Sequence, residues 1–166
     1  MIRSASVELL ERLEERFGDE LRSVGYYDPA GNDFVYVRHD VKAFYESSDF
    51  DRVFRTIRLE ALDRDHQESL YTHGRLESTV RCFDTATEIH FAVTDRQGIV
   101  AAVDAGAIGD LRDTIEACLD VLDDYVDGEG RIVDGEGRIV DCEVEDVDCE
   151  VEDVDCKDEW NEAGDE

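Results

Sequence analysis

The sequence has no uninterrupted apolar run near the ~20 residues of a membrane span, and its first residues, MIRSASVELLERLEERF, are charged within a few positions. That excludes a spanning helix and points to a cytoplasmic location. Lysine is almost missing: Lys42 and Lys157 stand beside 15 arginines, against 45 Asp and Glu. Without clustered basic residues, neither nucleic acid nor an anionic membrane is expected as a partner. The five cysteines are an odd number with no C-x-x-C pair, which supports neither a disulfide framework nor a zinc site. Also absent are the phosphate-cradling G-x-x-x-x-G-K-[ST] and G-x-G-x-x-G loops and the G-x-S-x-G serine elbow. No two histidines have the i, i+4 spacing of a helical metal site. The expectation is no catalytic residue, no metal, no cofactor, and a protein that is not an enzyme.

What the chain has in abundance is negative charge, a net −28 over 166 residues. Residues 1–122 carry −11 of it and residues 123–166 the remaining −17. Such self-repulsion strains a small domain in dilute buffer, whereas molar salt shortens the screening length to about 3 Å. The composition resembles that of proteins from salt-accumulating haloarchaea. Residues 126–156 read VDGEGRI VDGEGRI VDCEVED VDCEVED VDC, a seven-residue unit copied in register. Its apolar places alternate and do not form an a/d seam, and the intervening residues are acidic, so the tail 123–166 is expected to be disordered. Asp123, Asp127, Gly128 and Asp134 fall on places of an EF-hand-like loop, but Tyr125 and Gly130 occupy the wrong ones. Cys142, Cys149 and Cys156, seven apart, are too widely spaced for a usual zinc chelate.

Residues 1–122 read as one α+β domain. Leu10, Leu13, Phe17, Leu21 and Val24 recur at helical spacing behind a cap at Ser4 or Ser6, with Gly25 closing the helix. VGYYD and DFVYVRHDV flank Asp28-Pro29-Ala30-Gly31-Asn32, a hairpin signature that uses the only proline. After candidate caps at Ser47 and Ser48, a long helix from Asp49 to about Tyr71 places Phe50, Val53, Phe54, Ile57, Ala61 and Leu62 on one face. LESTVRCF, EIHFAVT and IVAAVD then form an antiparallel meander, and a last helix from about Ala107 to Leu122 ends the domain, with Asp110 and Asp113 suiting its N-terminal half. His39 beside Asp40 is a tempting acid–base pair, but neighbours in a strand point to opposite faces. His66 and His73 read as solvated polar residues, and Cys82 and Cys118, in apolar phase, as core packing.

The order α-β-β-α-β-β-β-α, the strand GIVAAVDAG and the amphipathic helix after it resemble the roadblock family of small dimeric domains, with a profilin- or longin-like fold. The segment GYYDPAGNDFVYVR is also similar to small haloarchaeal proteins. The roadblock resemblance implies a five-stranded antiparallel sheet flanked by helices and a homodimer through the third strand and the second helix. The residues it places at that interface are Phe54, Leu62, Leu76, Val80 and Cys82. It further implies a regulatory or scaffolding module whose partners are itself and another protein. A PAS-like small-molecule sensor is the alternative. A cavity between the second helix and the sheet would favour the sensor, and a filled core with an apolar edge would favour the scaffold.

Overall fold

Apolar residues at spacings of three and four carry the first helix, α1, from Ile2 to Phe17, burying Ile2, Ala5, Leu9, Leu13 and Phe17 along one stripe. The computed structural model describes residues 2–126 together with Val133 and Arg138. Gly18, at φ +50°, turns the chain out of α1 in a left-handed conformation that costs glycine no Cβ clash. This corrects the expected end of the helix. Leu21 and Val24 keep the helical spacing but belong to strand β1 (Leu21–Asp28), reached through a 3-10 turn at Gly18–Glu20, and Gly25 lies inside that strand. Ser6 is not a cap either: it is buried, and its hydroxyl donates to the Arg3 carbonyl at 2.7 Å.

The hairpin forms as expected. The Asp28 carboxylate accepts the backbone N–H groups of Ala30 and Gly31 at 2.8 and 3.0 Å, fixing the turn into β2 (Gly31–Val37). A short helix α2 (His39–Lys42) follows, which the sequence pattern did not signal. The long second helix is in fact two, α3 (Ser47–Leu62) and α4 (Arg64–Leu70), separated at Asp63. Its N-cap is Glu46 and not one of the serines, and the Glu46 N–H donates to the Asp49 carboxylate at 3.1 Å. Strands β3 (Thr79–Cys82), β4 (Ala86–Ala92) and β5 (Gly98–Asp104) make the expected meander, although β3 is only four residues long. Helix α5 (Leu111–Asp123) starts where the Asp110 carboxylate accepts the Asp113 N–H at 3.1 Å.

The five strands form one antiparallel sheet in the order β2-β1-β5-β4-β3, so β2 and β3 are its edges. Alternation in β5 separates two cores. Ile99, Ala101 and Val103 face the larger one, shared with α1 and α5. Val100 faces the smaller one, where Tyr27 packs with Phe54, Ile57 and Ala61 of α3. The chain is therefore an α+β layer with α1 and α5 on one face of the sheet and α3 on the other.

The folded unit runs past the expected boundary at 122. Tyr125 and Val126 pack on the larger core, and the Tyr125 hydroxyl donates to Glu8 of α1 at 2.8 Å. Val133, only 7% exposed, donates its N–H to the Tyr125 carbonyl at 2.9 Å. The expectations of disorder, of an EF-hand-like loop and of repeat cysteines in the tail fall mostly on residues outside those described.

Candidate binding groove

Small side chains on the α3 face of the sheet leave space at one end of it. Ser23 of β1, Ala102 and Val100 of β5 and Ala86 of β4 form the floor of a groove of about 330 Å³. One wall is aromatic: Tyr45 stacks on Phe50 with centroids 5.2 Å apart, and Phe50 packs at 4.7 Å against Phe34 of β2. Phe83 and Thr85, from the β3–β4 turn, line the groove as well. Sequence reasoning missed this groove because six separate elements build it. The spaced small residues of SVG and AAV were the only local sign.

Two charged groups reach the groove, Arg22 and Glu88. Arg22 donates to Asp104 at 2.8 Å, and Arg38 donates to both oxygens of Asp104 at 2.7 and 3.0 Å. Those hydrogen bonds, Arg38's first and then Arg22's, hold the Asp104 carboxyl down at a pKa of about 2. Glu88 is bonded to Arg81, whose guanidinium also bonds Glu60 and so ties β3 to α3. Burial pushes the Glu88 carboxyl above its ordinary pKa, and Arg81 opposes that shift.

Deeper under α3, His90 is 2% exposed, and its Nε2 shares a 2.9 Å hydrogen bond with the Tyr27 hydroxyl. Burial, reinforced by the charge of Arg81, lowers the His90 pKa to about 4. Burial raises that of Tyr27. Both side chains are therefore neutral at physiological pH, a hydrogen-bonded polar pair inside an apolar layer. The Arg58 guanidinium lies 5.2 Å from the Tyr27 ring centroid and donates to the carbonyls of Asp28 and Gly31 at 2.9 and 2.5 Å.

A family described as "Domain of unknown function (DUF7522)" matches residues 7–123. The chain belongs to this family. Both the groove and the β3 edge lie within the DUF7522 domain, and the repeats from Val126 onward lie outside it. No curated protein is detectably similar to the chain. Among solved structures, MglB with tetrameric arrangement is similar over 74% of this chain and 85% of that one, at 12% identity and a TM-score of 0.49.

The interface residues expected from the sequence separate within the DUF7522 domain. Phe54 is fully buried and has no surface to offer a partner; a Cβ on Gly25 would meet its ring at 2.8 Å. Leu62 is 59% exposed on α3. Leu76 precedes β3 and is half-buried, while Val80 within β3 packs on the larger core. Cys82 is exposed, contrary to the expectation of core packing, because the last residue of the edge strand lies past the core that covers Val80. Cys118 is buried as expected. His39 and Asp40 form no acid–base pair: Asp40 accepts from Arg38 at 2.7 Å. His66 and His73 are exposed. Among the described residues there is no cluster of three metal-ligating side chains, and no helix long and apolar enough to cross a membrane.

Proposed function

We propose that this chain is a non-enzymatic regulatory or scaffolding module of the roadblock type, acting through protein contacts in a salt-rich cytoplasm and pairing with its own copy. The observation that carries the reading is where the exposed apolar side chains lie. Of the nine large hydrophobic residues exposed among those described, seven fall between Phe44 and Phe83, the segment of α3, α4 and the β3 edge. Phe44 is 84% exposed, and Leu59 and Leu62 about 60% each. Leaving that much apolar surface in water is unfavourable unless a partner covers it. The edge strand β3, within the same stretch of chain, adds unpaired backbone groups. The self-contact is isologous, edge to edge, with the outer side of α3 beside it.

Light scattering of the full chain in molar KCl tests this. The expected mass is twice 18.8 kDa, returning to the single-chain value when Leu59 and Leu62 are both changed to Glu. A strictly monomeric wild type over the accessible concentration range removes the self-association.

The groove favours a second reading, a small-molecule-sensing domain. It lies between α3 and the sheet, and two charged groups reach it.

A further inference from the structure

The groove has a charge balance that selects among ligands. Its lining includes one cation and one anion, but they are not equivalent. Arg22 bonds Asp104 at 2.8 Å, a carboxylate that Arg38 shares, and Arg38 bonds Asp40 as well, so two guanidiniums meet two carboxylates there. Glu88 has only Arg81, and Arg81 must serve Glu60 as well. Two carboxylates on one guanidinium leave one negative charge in excess beside an apolar, aromatic space. An anionic ligand would sit against that excess. A neutral one would cover it without compensation, at a desolvation cost.

We propose that the groove binds a small organic cation with a flat apolar body, its ammonium against Glu88 and its body between the aromatic wall and Phe83. The proposal rests on the ligand-sensing reading and adds the chemical class of the ligand. Ring faces attract cations as well as apolar carbon, so Tyr45, Phe50 and Phe83 suit both halves of such a molecule. The volume of about 330 Å³ falls within the range of small-molecule sites, which begins near 300 Å³. The floor of Ser23, Ala86 and Ala102 has no large side chain that would have to move. Molar salt does not abolish the pairing, because screening acts less on partly buried charges than on exposed ones.

Three probes that share an indole ring separate charge from shape: tryptamine, tryptophol and indole-3-acetate. Each is titrated by calorimetry into the full chain in molar KCl. Tryptamine is expected to bind at least about tenfold more tightly than tryptophol, with indole-3-acetate weakest. Glu88→Gln should bring tryptamine to the tryptophol level while leaving tryptophol unchanged, and Ala102→Phe, which fills the floor, should abolish binding of both. Circular dichroism matching wild type establishes that each variant is folded, and the wild-type comparison stands without them. Equal affinities for tryptamine and tryptophol would overturn the cation proposal and leave a ligand-binding groove in place. Tryptamine binding that survives Ala102→Phe puts the ligand elsewhere and overturns it too. Failure of all three probes to bind at millimolar concentration removes both the proposal and the sensing reading.

Discussion

Acidification from neutral pH should destabilise the domain through His90. The imidazole is buried against the Tyr27 hydroxyl, and the charges of Arg81 and Glu60 act on it. Its pKa falls from an ordinary 6.5 to about 4 in the folded state. Between those values the unfolded chain takes up a proton that the folded one refuses, so stability falls as pH falls through the window. The full loss, once pH is below both values, is on the order of 3 kcal/mol, since each pKa unit corresponds to about 1.4 kcal/mol. That is a large part of the 5–15 kcal/mol typical of a small domain, as an order of magnitude. Glu88, with a raised pKa, works in the opposite direction, so a single wild-type curve is not the test. The test is the difference between wild type and His90→Gln, measured by urea denaturation in molar KCl from pH 7 to pH 4.5. Wild type should lose stability relative to the variant across this range. Parallel curves, or an NMR titration of His90 with a midpoint near 6.5, would refute the argument.

Gly98→Ala should cost about 2–4 kcal/mol, because the added Cβ would meet the Phe91 carbonyl oxygen at 2.6 Å and the Tyr27 hydroxyl at 2.5 Å; a Tm within error of wild type would contradict it. Asp104→Asn removes the carboxylate shared by Arg22 and Arg38. Because that side chain is 35% exposed, the loss should stay near about 1 kcal/mol. Its contribution is present above an ordinary carboxyl pKa of 3.8 and lost as pH falls through about 2, so wild type and variant should converge in strong acid. In native thiol labelling, Cys82→Ser should remove one fast-reacting group and Cys118→Ser none. Cys82 is exposed, whereas burial holds the Cys118 thiol at a pKa of about 12.

The elements most legible in the sequence are those whose signals are local. Asp28 and Gly31 announce the hairpin, Asp110 announces α5, and the short apolar runs EIHFAVT and IVAAVD announce β4 and β5. The errors come where a pattern continues across a break. Leu13, Phe17, Leu21 and Val24 keep helical spacing through Gly18, and only its backbone conformation separates helix from strand. Cys82 has the right phase for burial but lies beyond the covered part of an edge strand, which a one-dimensional pattern does not encode. Phe54 was correctly placed on an apolar face, yet that face is the interior of this chain and not an interface. The Tyr27–His90 pair joins residues 63 positions apart and the groove runs from Arg22 to Ala102, so no window of sequence contains them.

The seat that Val133 takes beside Tyr125 has an evolutionary consequence. Val126 and Val133 open the first and second copies of the repeat, and Val140, Val147 and Val154 open later ones. Gain or loss of a whole seven-residue unit returns a valine to the place next to the Tyr125 carbonyl, whichever copy was added or removed. Copying errors in steps of seven are thereby neutral to the domain, while a step of one residue exchanges that buried valine for its neighbour Ile132 or Asp134. Selection for the seat alone would preserve the period of the repeat and leave the number of copies free to drift.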